Sequence, residues 1–134
     1  MAMEYGYEKT FKNLGFEDAV AKVTEALKGE GFGVLTEIDV RATLKKKLDV
    51  DVRRYAILGA CDPRLAHQAM LCEPDIGLLL PCNVIVRALD EGHTVVAALD
   101  PVQQLGLSGN PALEPVAAEV RERLTRAVAR VAGS

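Results

Sequence analysis

The chain has 134 residues and a net charge of −3, and 49% of its residues are hydrophobic and 26% charged. This length and composition supply a hydrophobic core, which excludes a disordered protein and predicts one domain over residues 1–134. The acidic balance argues against a broad nucleic-acid-binding surface, because such surfaces need clustered lysines and arginines.

The first half of the chain predicts two strands and two helices. Residues 5–9 alternate in polarity as a strand does, and acidic residues then open a helix whose apolar positions recur up to Leu27. Residues 32–40 show the clearest alternation and predict a strand. Asp39 is then placed to cap a short helix over Val40–Leu48.

The second half begins with an apolar run at Tyr55–Cys61, which predicts a central strand. Asp62-Pro63 is a helix-start signal, because Asp accepts from free N–H groups and Pro suits the first helical position. This helix must end before Pro74. We expect residues 76–80 to form a buried extended connector, 83–89 and 94–99 a hairpin, 101–110 a loop, and 115–131 the last helix.

These elements follow the order β-α-β-(short α)-β-α-β-β-α. The closing hairpin excludes a strictly alternating parallel sheet. The predicted fold is therefore α+β with two layers, in which a mixed, mainly antiparallel five-stranded sheet has its helices packed mostly on one face.

The candidate chemistry lies at strand ends, at Cys61 and at Cys82-Asn83. Cys61 precedes a helix N-terminus, which favours a thiolate, but the negative charge of Asp62 opposes that effect. Free cysteines are among the most buried residues, so packing alone also explains Cys61 and Cys82. The Asn83 carboxamide either ties down a loop or binds a ligand.

Two carboxylates, Glu37 and Asp39, lie two residues apart on one face of their predicted strand. That spacing suits a paired acid and base, and a solvated strand face produces it just as easily.

A basic cluster breaks the acidic average of the chain. It consists of Arg41, Lys45, Lys46, Lys47, Arg53 and Arg54. The pattern is typical of a solvated face and less often of an anion site.

Motifs for the common cofactors and catalytic centres are missing. The glycine-rich segment at residues 29–33 follows a helix and enters a strand, which reverses the order that a dinucleotide-binding loop requires. The two serines stand in no nucleophile-elbow motif, and the cysteines and histidines lack metal-ligand spacing. The sequence predicts no cofactor and no metal site, assigns no catalytic residue and does not decide whether the chain is an enzyme.

The three cysteines are an odd number, and no secretory segment is visible, which argues against a disulfide framework. The apolar runs are too short to cross a bilayer. We therefore expect a cytoplasmic protein that binds neither membranes nor nucleic acid.

Four segments together resemble the bacterial and archaeal family catalogued as domain of unknown function 302. They are Glu30-Gly31-Phe32-Gly33-Val34-Leu35-Thr36-Glu37-Ile38-Asp39, Thr43-Leu44-Lys45, Tyr55-Ala56-Ile57-Leu58-Gly59-Ala60-Cys61-Asp62-Pro63 and Gly77-Leu78-Leu79-Leu80-Pro81-Cys82-Asn83-Val84-Ile85-Val86. The resemblance covers most of the chain and implies a compact α+β domain with a mixed sheet, often a homodimer, with no assigned reaction.

Members of that family usually have Asn where this chain has Asp62, and the change adds a charge beside Cys61. The family's motif residues fall here on Glu37, Asp39, Cys61, Pro63, Pro81, Cys82 and Asn83.

Two functional hypotheses follow. The first is a homodimeric module that binds a small ligand or a partner through Glu37, Asp39, Cys61, Cys82 and Asn83. The second is thiol chemistry at Cys61 and Cys82, as redox sensing, sulfur transfer or metal binding, which requires the two sulfurs to approach. A purely structural or assembly role is a third reading.

Overall fold

The computed structural model describes residues 2–131, and its main elements follow the predicted order. The strands are β1 (Ala2–Met3), β2 (Gly6–Lys12), β3 (Gly33–Asp39), β4 (Tyr55–Cys61), β5 (Cys82–Ala88) and β6 (His93–Leu99). The helices are α1 (Phe16–Gly29), α2 (Val40–Leu48), α3 (Pro63–Cys72), α4 (Pro101–Gly106) and α5 (Glu114–Val131). Two short 3₁₀ turns cover Pro74–Leu79 and Pro111–Leu113.

The strands form one sheet in the order β1-β2-β6-β5-β4-β3. Every pairing between the described strands is antiparallel, and β1 adds only two residues beside five strands of seven. The predicted α+β class is confirmed. The sheet is antiparallel throughout this described region.

The core lies between the sheet and the two longest helices. Alternate side chains of the central strands, such as Leu58, Val84 and Val96, are fully buried against α1 and α5. The opposite side chains of these strands point to the other side of the sheet. We call that side the open face, and it determines where the candidate site lies.

Residues 76–80 do not form the predicted extended connector. They belong mostly to the 3₁₀ turn Pro74–Leu79, in which Ile76 is fully buried. Ile76 packs with Leu105 and Leu113 in a second, smaller core. The connector prediction was wrong because the apolar run anchors a turn rather than crossing the sheet.

The predicted loop at residues 101–110 contains helix α4 instead. Asp100 caps this helix by accepting a hydrogen bond from the Val102 N–H at 2.9 Å, and Pro101 occupies the first helical position. Asp-Pro is therefore a helix start here, as it is at Asp62-Pro63.

Helix α5 is the longest helix, with 18 residues, and begins at Glu114, one residue before the predicted start. Its outer face carries arginines and glutamates. None of the helices within residues 2–131 has the length and apolar character needed to cross a bilayer.

Candidate ligand-binding site

Cys61 and Cys82 lie close together at one end of the sheet. Cys61 is the last residue of β4, and Cys82, the first residue of β5, pairs with Ala60. Side chains alternate between the faces of a strand, so this one-residue offset directs the two thiols to opposite faces. Both cysteines are free, and diverging side chains of this kind disfavour a disulfide.

The surroundings of these thiols do not activate them. Burial raises the pKa of Cys82 to about 11, and the nearby Cys61 adds to the rise. Partial burial also raises the pKa of Cys61, with a further contribution from the negative charge of Asp62. The predicted opposition between Asp62 and a Cys61 thiolate is therefore confirmed.

Asp62 joins helix α3 to helix α5. Its Oδ1 accepts hydrogen bonds from the backbone N–H groups of Arg64 at 3.0 Å and Leu65 at 3.4 Å, which makes the predicted helix cap. Its Oδ2 accepts from Arg123 Nη1 at 2.9 Å. The carboxylate is 5% exposed, so its partners compensate a charge that would otherwise be costly to bury.

A small apolar cavity lies on the helix side of Cys82. Its volume is about 30 Å³, which is room for one or two water molecules. The lining includes Phe32, just before β3, Leu65 of α3, Cys82 of β5 and Val120 of α5. This cavity is too small for a metabolite, so it does not make Cys82 a ligand site.

Glu37 and Asp39 lie on β3, which is the edge strand of the sheet, and both are exposed. They pair with Leu58 and Ala56, whose side chains face the core, so both carboxylates project on the helix side of the sheet. Asp39 Oδ1 accepts from the Ala42 N–H at 2.9 Å and caps α2, as predicted.

Asn83 lies on the open face, opposite Gly59 of β4. Its side chain is exposed and makes no hydrogen bond to another described residue. The register therefore divides the five predicted site residues. Cys61 and Asn83 share the open face at one end of the sheet, Cys82 faces the helix side at that end, and Glu37 and Asp39 lie on the helix side of the edge strand.

The centre of the open face is a row of side chains that crosses five strands. Register places Glu8, Ala97, Ile85, Ile57 and Ile38 side by side, from β2 to β3. These include three of the four isoleucines in the chain. The row forms an aliphatic ridge over β5, β4 and β3, and Ile38 at its end is 48% exposed.

A groove runs beside this ridge, over β6 and β2. It forms where Ala97 and Gly6 leave space between larger neighbours, and its volume is about 360 Å³. Ile85 and Leu99 supply apolar walls. Glu8, Tyr55, Asn83 and Arg87 place polar groups around the rim.

The two charged groups of the rim, Arg87 and Glu8, form a long ion pair. Arg87 Nη2 lies 3.8 Å from Glu8 Oε2, at the limit of an ion pair, and their side chains are 35% and 27% exposed. Both groups therefore remain within reach of a molecule in the groove. An apolar floor with a few convergent polar groups is typical of a small-molecule site.

Sequence reasoning missed Arg87, Tyr55 and Glu8. Asn83, Ile85 and Arg87 alternate along one strand face, so strand periodicity contained the signal that they lie together. The sequence alone could not place Glu8 beside these residues, because its position depends on the pairing of β2 with β6, which are distant in the chain.

A second buried ion cluster, at Glu30, serves the fold. Glu30 is 9% exposed, and its carboxylate accepts from Arg126 at 2.9 Å and pairs with Arg130 at 3.2 Å. The hydrogen bond from Arg126 is the main cause that lowers the pKa of Glu30 below its usual 4.5. This cluster ties the end of α1 to α5.

Among the described residues, no three His, Cys, Asp or Glu side chains lie close enough together to hold a metal ion.

Comparisons with known proteins identify relatives whose descriptions name no activity. The family model described as "Domain of unknown function DUF302" matches residues 7–131. The crystal structure of an uncharacterized conserved protein DUF302 from Bacillus stearothermophilus is similar, with 29% sequence identity and a TM-score of 0.86. That similarity covers 96% of this chain and 98% of the other. No curated protein matches the chain.

Proposed function

This chain belongs to the DUF302 family, whose description names no activity, and from its own open face we propose that it is a homodimeric module that binds a small ligand. The observation that carries the proposal is the aliphatic ridge beside a groove with a polar rim. The proposed location is the cytosol, on the sequence grounds given above.

The ridge and the groove support pairing of two identical faces. A two-fold axis brings the same surface of both copies together, so the isoleucine ridges of the two copies can pack against each other and cover the groove beside Ala97. Packed sheets stand about 10 Å apart, which leaves room for these interleaved side chains. A second copy therefore removes from water the isoleucines that one copy leaves exposed.

The size of the face is also adequate. Five strands about 4.8 Å apart and seven residues long give a footprint of roughly 500–600 Å², and a corrugated surface buries more than its footprint. A stable interface needs about 800 Å² of accessible surface from each partner. The open face is therefore of the order that a dimer requires.

The rim indicates the chemistry of the ligand. Arg87 offers a cationic fork that suits a carboxylate or a similar anion, and Asn83 offers both a donor and an acceptor. The apolar floor suits a hydrocarbon body. We therefore propose a small organic anion, held between the rim residues and enclosed when the second copy packs on the face.

The dimer is tested by sedimentation equilibrium. We expect the wild type to be a dimer at micromolar concentrations and Ile85→Arg and Ala97→Arg to be monomers with native circular dichroism. Ala118→Arg, on the exposed side of α5, is the matched control and should stay dimeric. A monomeric wild type would refute the dimer.

The groove is tested with anilinonaphthalenesulfonate, an anionic apolar probe, followed by amide chemical shifts. We expect shifts concentrated at Asn83, Arg87 and Ala97, and weaker binding by Arg87→Gln but not by the exposed control Arg64→Gln. Shifts confined to other surfaces would refute the groove as the site.

Thiol chemistry is the second candidate. The one observation in its favour is that Cys82 pairs with Ala60, which places the next residue, Cys61, close to Cys82. The raised pKa of each thiol and their opposite faces weigh against it. Thiolate is the reactive form, so both cysteines are poorly suited to attack at neutral pH.

A further inference from the structure

The basic cluster at residues 40–54 is not used by the proposed function. This segment, which we call the basic arm, consists of α2 and the connector to β4. It carries six cationic and two anionic side chains, a net charge of +4 in a chain whose net charge is −3. No residue of α2 is buried, so the helix exposes most of its surface.

Internal ion pairs use only part of this charge. Lys45 binds Asp49 at 2.9 Å and Asp51 at 3.3 Å, and Arg54 binds Glu17 at 2.5 Å while stacking on Phe16. The other four cations are exposed and form no ion pair with a described residue. They are Arg41, Lys46, Lys47 and Arg53.

Two of these unpaired cations, Arg41 and Arg53, line the same hollow. The hollow has a volume of about 580 Å³ and lies between the basic arm and the β5–β6 turn. Of the three acids on its walls, Asp51 is paired with Lys45, and Asp90 with His93 at 2.7 Å. Arg54 also lines the hollow and is paired with Glu17. The lining therefore has three arginines and three acids, and Arg41 and Arg53 are the arginines that form no ion pair with a described residue.

Aliphatic side chains are exposed on the same arm. Leu48 at the end of α2 is 65% exposed and Val50 is 44% exposed. These two side chains add apolar contact surface to the cationic arm.

We propose that the basic arm binds an acidic segment of a partner protein, with a carboxylate side chain of that segment held between Arg41 and Arg53. Arginine recognises carboxylates with paired hydrogen bonds, and apolar residues of the segment would cover Leu48 and Val50. The acids of the hollow disfavour a densely charged polyphosphate, whereas a peptide carries single, spaced charges. This surface shares no residue with the groove of the open face.

The test uses a fluorescein-labelled short peptide of glutamate, leucine and serine, titrated with the full chain by fluorescence anisotropy. We expect Arg41→Glu/Arg53→Glu to weaken binding at least about tenfold, and Arg41→Gln/Arg53→Gln to weaken it less. The control Lys28→Glu/Arg64→Glu changes the net charge equally at exposed positions outside the arm and should have a much smaller effect.

Two outcomes would overturn the proposal. One is equal weakening by the arm variant and the control, because that result reports only net charge. The other is tighter binding of an oligouridine RNA or of phosphatidylglycerol vesicles through the same arginines. Circular dichroism of each variant excludes misfolding as the cause, and sedimentation distinguishes this result from loss of the dimer.

Discussion

The carboxylate of Asp62 lies 2.9 Å from Arg123 Nη1, so the residue that starts α3 also holds α5 in place. Arg123 extends the contact to the backbone carbonyl of Glu30 and to the carboxylate of Glu119. One side chain therefore caps a helix and fixes two further elements. Partial burial raises the pKa of Cys61, and the negative charge that this junction requires raises it further.

Asp62→Asn separates the two roles of this residue. Asn caps a helix as well as Asp does, so the variant loses mainly its ion pair with Arg123 and should be destabilised by about 1–3 kcal/mol. Asp62→Ala loses the cap as well and should cost about 1 kcal/mol more. Urea unfolding measures both. Equal stability of Asp62→Asn and the wild type would contradict the role assigned to the pair.

Gly59→Ala should destabilise the protein by about 1–3 kcal/mol, because the added Cβ would lie 2.3 Å from Thr36 Oγ1 and 2.8 Å from Pro81 Cγ. Gly33→Ala on the edge strand is the control, since nothing lies within 4 Å of its added Cβ. Urea unfolding of both variants checks the prediction. If Gly59→Ala lost no more stability than Gly33→Ala, the prediction would be wrong, because Thr36 and Pro81 would then move aside without a loss of stability.

Low pH should reduce the free energy of unfolding, in part through protonation of Glu30. The pKa of Glu30 is lower in the folded protein than its usual 4.5, so the unfolded state binds the proton first as the pH falls. Its stabilisation is therefore present above pH 4.5 and is lost as the pH falls through the folded pKa. Between neutral and acidic pH, Glu30→Gln should lose less free energy of unfolding than the wild type, as measured by urea unfolding. Glu25→Gln, exposed on α1, should leave that loss unchanged.

The three thiols should react in a fixed order. Brief alkylation of the native protein, read by mass spectrometry, should label the exposed Cys72 first, then Cys61, and Cys82 last. With a pKa of about 11, Cys82 is thiolate in on the order of one molecule in a thousand at pH 8. Labelling of Cys82 before Cys72 would revive the thiol hypothesis. Unfolding in urea should make all three react alike.

The amino-acid sequence by itself determined the order of elements and the two helix caps at Asp39 and Asp62. These depend on periodicity and on contacts within a few residues, which local sequence specifies. It also determined that Asp62 opposes a Cys61 thiolate, because the two residues are neighbours in the chain. It misjudged residues 76–80 and 101–110, where short apolar segments fit a turn or a helix as well as a connector or loop.

Only the tertiary structure decided the candidate site. Cys82, Asn83 and Glu37 all lie in strands, yet the pairing of strands sends Asn83 to the open face and Cys82 and Glu37 to the helix side, with Glu37 at the edge of the sheet. The same pairing aligned Ile38, Ile57 and Ile85 in one row. Register between strands that are distant in the chain depends on how the whole core packs, and a single-residue shift would move every side chain to the other face.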